Sequence, residues 1–294
     1  MADNTPQIPE EAFALYDAYC HGQIDRRSFF EGLGKFAVGG MTVSTLAACM
    51  LPNYDKQQTV ATSPAYTVET AKYNSPGGAG EMAGDLVIPT TLAEPVGGVV
   101  VIHENRGLNP HIKDVARRVA LAGYVAFAPD ALYPLGGYPG TDDEGRELQR
   151  QRDRAEMFAD FRNAATFLKD HPACSGAVAC VGFCFGGAVA NHMAVEQPWL
   201  AGAVPYYGGW PSAEDAEKVE VPLQIHLAEN DPRINDAWPP YEAALKAAGA
   251  DYEMHMYPGT QHGFHNDKSP RFNEEAATFA WSRTLAFFDK HLNA

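Results

Sequence analysis

The chain has 294 residues, with 22 Lys plus Arg against 37 Asp plus Glu and a formal net charge of −15. That balance argues against nucleic acid and anionic membrane surfaces as partners, since both need basic patches, while 46% hydrophobic residues rule out a mainly disordered chain. At roughly 150 residues per domain the length allows one large domain or two smaller ones, and the five cysteines (Cys20, Cys49, Cys174, Cys180 and Cys184) are odd in number and lack zinc-finger spacing.

Residues 10–22 read as a short amphipathic helix with Phe13, Leu15, Tyr16 and Tyr19 as its apolar positions. Asp25-Arg26-Arg27-Ser28-Phe29-Phe30 follows, and then an uncharged run over 36–52. Twin arginines before a Gly/Ala-rich stretch have the form of a Tat-like export signal, and Leu46-Ala47-Ala48-Cys49 has that of a lipoprotein cleavage site. A secretory start is usually basic, yet residues 1–25 carry Asp3, Glu10, Glu11, Asp17 and Asp25 and no Lys or Arg. The apolar run, at about sixteen residues, is short and Gly-rich for a membrane span. Two readings stand: a retained helical extension in a cytoplasmic protein, which the acidic start favours, and a Tat-like signal directing export to the periplasm. Residues 51–64, polar and bearing Pro52 and Pro64, read as a linker. The expected organisation is an extension with its linker over 1–65 and a catalytic domain over 66–294.

From Tyr66 the pattern changes. Residues 66–73 and 81–88 alternate like two half-buried strands around the turn Ser75-Pro76-Gly77-Gly78. The apolar run 98–103 predicts a strand buried on both faces. A helix over 109–122, a strand over 124–128 and a charged helix over 142–170 come next, the last with a stripe of Met157, Phe158, Phe161, Ala165 and Leu168. Strands over 176–182, 201–207, 221–227 and 252–257 then alternate with helices over 188–197, 241–248 and 269–291. This repeated β-α-β order predicts an α/β fold with a mostly parallel central sheet and helices on both faces.

Gly182-Phe183-Cys184-Phe185-Gly186 is the cysteine form of the Gly-x-Ser-x-Gly nucleophile elbow. Small residues two before and two after the nucleophile let a strand and a helix approach closely. The sulfur is then presented at a helix N-terminus, where the dipole favours thiolate, and the Phe185 N–H is free to hold an oxyanion. The nucleophile needs a base, and the base a carboxylate to orient it. In the α/β-hydrolase fold these follow in the order nucleophile, acid, histidine. Asp231, after the strand over 221–227, and His262, after the strand over 252–257, stand in those places. His265 is a rival base further from the strand end. A metal reading through His262 and His265 lacks a carboxylate at matching spacing, so the expectation is no metal and no cofactor.

On these residues the chain resembles the dienelactone hydrolases, the Cys-His-Asp branch of the α/β-hydrolases. The resemblance covers about residues 66–294 and rests on the cysteine elbow, on His103-Glu104-Asn105-Arg106-Gly107-Leu108, on Pro129-Asp130-Ala131-Leu132-Tyr133, on Tyr206-Tyr207-Gly208, and on Asp231 and His262. The whole chain is most similar to a subgroup of bacterial hydrolases with His-Glu-Asn-Arg-Gly-Leu-Asn-Pro and His-Gly-Phe-His-Asn, whose substrates are undefined. The resemblance implies that Glu104 contacts the resting Cys184 thiol and that the backbone N–H groups of Asn105 and Phe185 form the oxyanion hole. The family holds its substrate carboxylate with two arginines. One of the two places is Asn266 here, and the other falls loosely near Arg146 or Arg150, which argues against an anionic substrate.

Arg106, Tyr138, Tyr207 and Arg233 are candidate substrate contacts, and Tyr133, Trp210 and Phe264 candidate pocket walls. The expected activity is hydrolysis of a small-molecule ester or lactone through a cysteine acyl-enzyme, by a monomer or a homo-oligomer. The alternative is a non-catalytic ligand binder or a thiol sensor in which Cys184 is oxidised and Cys174 or Cys180 resolves it.

Overall fold

The computed structural model describes residues 8–37, 42–55 and 57–293. Residues 1–7, with Asp3, and 38–41 of the apolar run lie outside them. In chain order the helices and strands are α1 (Glu10–Cys20), α2 (Arg26–Leu33), α3 (Val43–Met50), β1 (Tyr66–Ser75), β2 (Gly80–Pro89), β3 (Val96–Ile102), α4 (Pro110–Leu121), β4 (Val125–Pro129), α5 (Asp142–Arg150) and α6 (Arg154–Lys169). Then come β5 (Cys174–Phe183), α7 (Phe185–Glu196), β6 (Gly202–Tyr206), α8 (Ala213–Ala216), β7 (Leu223–Asn230), α9 (Pro232–Asn235), α10 (Trp238–Ala248), β8 (Tyr252–Gln261) and α11 (Glu274–Leu292).

The strands form one eight-stranded sheet in the order β1-β2-β4-β3-β5-β6-β7-β8. The β1–β2 and β2–β4 pairs are antiparallel and every other pair is parallel. Strands buried on both faces explain the continuous apolar runs. Along β3, Val100 and Ile102 point into a core packed against α6, α7 and α10, while Val99 and Val101 point into a second core under α4 and α11. The expected α/β sheet with helices on both faces is the observed one.

The single helix expected over 142–170 is two, α5 and α6, interrupted at residues 151–153. The Asp153 side chain accepts a hydrogen bond from the Glu156 N–H and so caps α6. No Gly or Pro stands at residues 151–153 to mark the break in sequence, and the break carries Arg150, Arg152 and Arg154 to one cavity. The strand expected over 252–257 continues to Gln261, with a register shift against β7 between Ala228 and Asn230, so His262 follows the strand directly.

The three N-terminal helices enclose a small core of their own: Ala12, Tyr16, Cys20, Phe29, Leu33, Leu46, Ala47 and Met50. No helix among the described residues is long and apolar enough to cross a membrane. The described residues of the segment read as a linker form no helix or strand, yet they are stapled to the body. The Tyr54 hydroxyl donates to Asp142 at 2.9 Å, the Thr59 N–H donates to the buried Asp114 at 2.9 Å, and Arg117 reaches Gln57 at 2.7 Å.

The sheet meets α7 with almost no clearance. A Cβ at Gly186 would stand 2.3 Å from the Ile102 carbonyl oxygen and 2.7 Å from that of His103, both backbone atoms that cannot move aside. Gly186→Ala is therefore expected to cost about 3 kcal/mol or more by overpacking. In a domain of this size that lowers the melting midpoint by roughly 6–12 °C. A melt within a degree of wild type would contradict this account of the junction.

Candidate active site

Cys184 occupies the turn between β5 and α7 with φ 57° and ψ −110°, a backbone region that L-residues avoid. The strain is held from several sides. Its N–H donates to the Tyr206 carbonyl at 3.0 Å, and its own carbonyl accepts from the Ala188 N–H at 3.1 Å. Gly182 and Gly186 supply the space, since a Cβ on Gly182 would lie 1.9 Å from the Gly186 carbonyl oxygen. The N–H of Phe185, the first residue of α7, has no intrahelical acceptor by position.

Asp231 directly follows β7 and His262 directly follows β8, so two neighbouring parallel strands deliver them side by side. Asp231 Oδ2 lies 2.6 Å from His262 Nδ1, both residues being buried. That bond fixes the imidazole beside the sulfur, with a ring nitrogen within 4.8 Å of Cys184 Sγ. The elbow cysteine, the acid and the histidine predicted from spacing are thus brought together.

A fourth group at the sulfur was not foreseen. His21, just past α1 in the N-terminal extension, has Nε2 3.3 Å from Cys184 Sγ. Its Nδ1 is held by Asp17, at 2.8 Å to the carbonyl oxygen and 3.3 Å to the carboxylate. The His21 and His262 rings meet edge to face with centroids 5.0 Å apart. Among the described residues, donor atoms of His21, Cys184 and His262 lie within 4.8 Å of one another. No sequence signal marked His21, because it lies 163 residues from Cys184 in a segment with its own apolar pattern.

The electrostatics follow. Burial opposes a charge on Cys184, but His262 and His21 outweigh it and hold the thiol well below its ordinary range. Burial also opposes charge on His262, yet Asp231, the Cys184 thiolate and Asp17 push it up to about 10. His21 is raised for the same reason, by the thiolate and Asp17 against burial. Cys184 and both imidazoles are thus each shifted toward the charged form by one another and by the two carboxylates. By contrast, His265 stacks on Phe183 at 5.0 Å and is held well below 6.5 by burial and by Arg118 and His111, so the rival base is a core residue.

Several expected contacts fall elsewhere. Glu104 is buried, but its carboxylate pairs with Arg106 at 2.7 Å and accepts from Asn266 Nδ2 at 3.1 Å, while the hydrogen bond to the sulfur comes from His21. Arg106 outweighs burial and keeps the Glu104 carboxyl low. Arg106 itself is buried between Glu104 and Asp142, at 2.7 Å from each, which removes it from the candidate substrate contacts. The Tyr138 hydroxyl donates to Asp142 at 3.0 Å, away from the cavity at Cys184, and Tyr207 is wholly buried against the His262 ring at 4.9 Å. Phe264 is fully buried against Tyr257 and Tyr207. Trp210 packs on Trp238 and Tyr241. Asn266 occupies the place of a missing arginine and steadies Glu104 instead. Cys180 is fully buried and pushed up to about 12 by burial, unfit to resolve an oxidised Cys184.

Cys184 opens into a cavity of about 490 Å³ lined also by His21, Asn105, Phe185 and Met157 and by five arginines, Arg146, Arg150, Arg152, Arg154 and Arg233. No carboxylate is among its lining residues. Arg146 and Arg152 are tied to Asp143 and Asp160. Arg154 lies over the Phe158 and Phe185 rings at 4.8 and 6.0 Å, with no acidic partner among the described residues. Arg233 reaches His262 Nδ1 at 3.1 Å and Asp17 at 3.4 Å.

A thiolate held below its ordinary range stays nucleophilic as the pH falls, and its reactivity is lost only through the lowered pKa. Iodoacetamide is therefore expected to label Cys184 rapidly at pH 6.5 while Cys180 stays unlabelled. A Cys184 rate that climbs only above pH 8 would contradict it.

The dienelactone hydrolase family model matches residues 82–292, and a YqhI-like model matches residues 3–38. The Escherichia coli K12 protein named "Putative hydrolase fragment YghX" is 54% identical over 114 residues, 38% of this chain and 97% of that protein. A "Putative carboxymethylenebutenolidase" of Saccharolobus solfataricus is 30% identical over 235 residues, 67% of this chain and 90% of its own. A crystal structure titled as a dienelactone hydrolase from Klebsiella pneumoniae superposes with a TM-score of 0.67 at 26% identity, covering 76% of this chain and 99% of that one. The chain belongs to the dienelactone hydrolase family, with the α/β-hydrolase fold, and is a hydrolase of the ester and lactone class.

Proposed function

We propose that the protein hydrolyses small esters or lactones carrying a negative charge, with Cys184 as nucleophile. The observation that carries this reading is the strained elbow sulfur, faced by the Asp231–His262 pair and opening into an arginine-lined cavity. The Cys184 thiolate attacks the carbonyl carbon, and the carbonyl π electrons move to oxygen. The N–H groups of Asn105 and Phe185 receive the oxyanion. On collapse the C–O bond breaks, the leaving oxygen takes a proton from His262, and an acyl-thioester remains. His262, now neutral, takes a proton from water as its oxygen attacks, and the acid departs as the thiolate re-forms. An alkoxide is a better leaving group than an amide nitrogen, which favours esters and lactones over amides.

Substrate charge departs from the sequence expectation. Loss of the family arginine at Asn266 argued against an anion, but the helix break at residues 151–153 brings other arginines to the cavity. Arg154 is the one among them without a carboxylate partner. A carboxymethylenebutenolide, as named for several relatives, is an anionic lactone, and that class fits this lining.

Cys184→Ala is expected to abolish p-nitrophenyl acetate hydrolysis, and full activity in that variant would end the nucleophile assignment. Asp231→Asn should keep the fold and lower turnover about 10³- to 10⁴-fold. For charge, Arg154→Gln should raise KM about tenfold for the p-nitrophenyl monoester of succinate, close to 1.4 kcal/mol, and leave the neutral acetate ester unaffected. Equal effects on both esters would count against an anionic substrate.

A further inference from the structure

The proposed mechanism uses one histidine, yet the sulfur faces two. His262 comes with Asp231 from the ends of β8 and β7. His21 comes with Asp17 from the N-terminal extension, and its Nε2 makes a hydrogen bond to Cys184 Sγ at 3.3 Å. Each imidazole has Nδ1 near a carboxylate, Asp231 at 2.6 Å for His262 and Asp17 at 3.3 Å for His21, whose shorter contact is the Asp17 carbonyl at 2.8 Å.

Four further contacts hold His21 in place. Asp17 is anchored by Arg271 at 3.3 Å and Arg233 at 3.4 Å. The Cys20 carbonyl, one residue before His21, accepts from Asn105 Nδ2 at 2.8 Å, on the very residue whose N–H belongs to the proposed oxyanion hole. The Arg146 guanidinium lies 5.4 Å from the Tyr19 ring centroid. A segment that merely covered the protein would need none of this charge complementarity at the nucleophile.

We propose that His21 is a catalytic residue supplied by the N-terminal extension, donating a hydrogen bond to the Cys184 sulfur beside the His262 ring. The assignment rests on Cys184 being the nucleophile. His21 lines the open cavity beside the sulfur and does not seal it. In the resting enzyme its Nε2–H stabilises the thiolate. When the tetrahedral intermediate formed by water collapses, the C–S bond breaks and the electron pair returns to sulfur. His21 then receives the departing thiolate while His262 holds the proton taken from water. Processing of the chain before Cys49 would remove this residue, while Leu46, Ala47 and Met50 of the apolar run pack in the extension's own core.

The test uses the full chain with His21→Gln, His21→Asn and Asp17→Asn, and the exposed Arg27→Ala on the same extension as control. The rate of Cys184 alkylation by iodoacetamide is followed against pH, beside kcat/KM for p-nitrophenyl acetate and the thermal melt. Removing a charge-assisted donor should move the alkylation midpoint up by about one pH unit or more. It should also lower kcat/KM at least about tenfold, with the melt and the Arg27→Ala variant close to wild type. Asp17→Asn should shift the midpoint in the same direction by less. An unchanged midpoint with unchanged turnover in folded His21→Gln and His21→Asn would overturn the proposal, and so would faster turnover, which would make His21 a plug. Cys184→Ala assayed in parallel separates the two readings. If it is inactive while the His21 variants behave as wild type, only His21 loses its role, whereas an active Cys184→Ala removes the nucleophile assignment itself.

Discussion

The structure depends on one junction, where a central parallel strand turns into a helix at a residue with φ 57°. Such a backbone survives only where its surroundings overdetermine it. Here Gly182 and Gly186 clear the space, and hydrogen bonds from Cys184 to Tyr206 and from Ala188 to Cys184 hold the turn. From that geometry the rest follows. The sulfur stands at the carboxyl edge of the sheet and at the start of a helix, and the neighbouring strands β7 and β8 end at the same edge with Asp231 and His262.

A thiolate under burial needs compensation, and the charges around it are arranged in layers. Nearest are the imidazoles of His262 and His21, behind them Asp231 and Asp17, and behind Asp17 the guanidinium groups of Arg233 and Arg271. A second buried network, Glu104–Arg106–Asp142 with Tyr54 and Asn266, sits beside it. Buried ion pairs of this kind add little net stability, since desolvation offsets their attraction. Their effect is positional. Arg106 draws Glu104 and Asp142 together, and through Tyr54 the network ties residues 51–64 to the loop that follows β3.

Much of this was legible in the chain. The alternation of apolar runs and helical stripes determines an α/β sheet because a strand buried on both faces has no other readable pattern. The elbow was legible because close approach restricts Gly182 and Gly186 to the smallest residue. Asp231 and His262 were legible because chain order and strand ends confine them. The split between α5 and α6 was not, because Gln151-Arg152-Asp153 carries no Gly or Pro and only the Asp153 cap marks the stop. Arg106 looked available in sequence and proved enclosed, since nothing local announces Asp142, its partner 36 residues on.

The sequence by itself thus determined the sheet, the elbow and the order of acid and histidine. All of these arise from local periodicity, steric restriction or position along one β-α unit. Only the tertiary structure decided which charges meet. The proximity of His21 to Cys184, the gathering of arginines from a helix break around the cavity, and the pairing of Glu104 with Arg106 and Asn266 each depend on contacts that local pattern does not record. Electrostatic contact depends on distance in space, and the sequence records it only when chain order happens to enforce that distance.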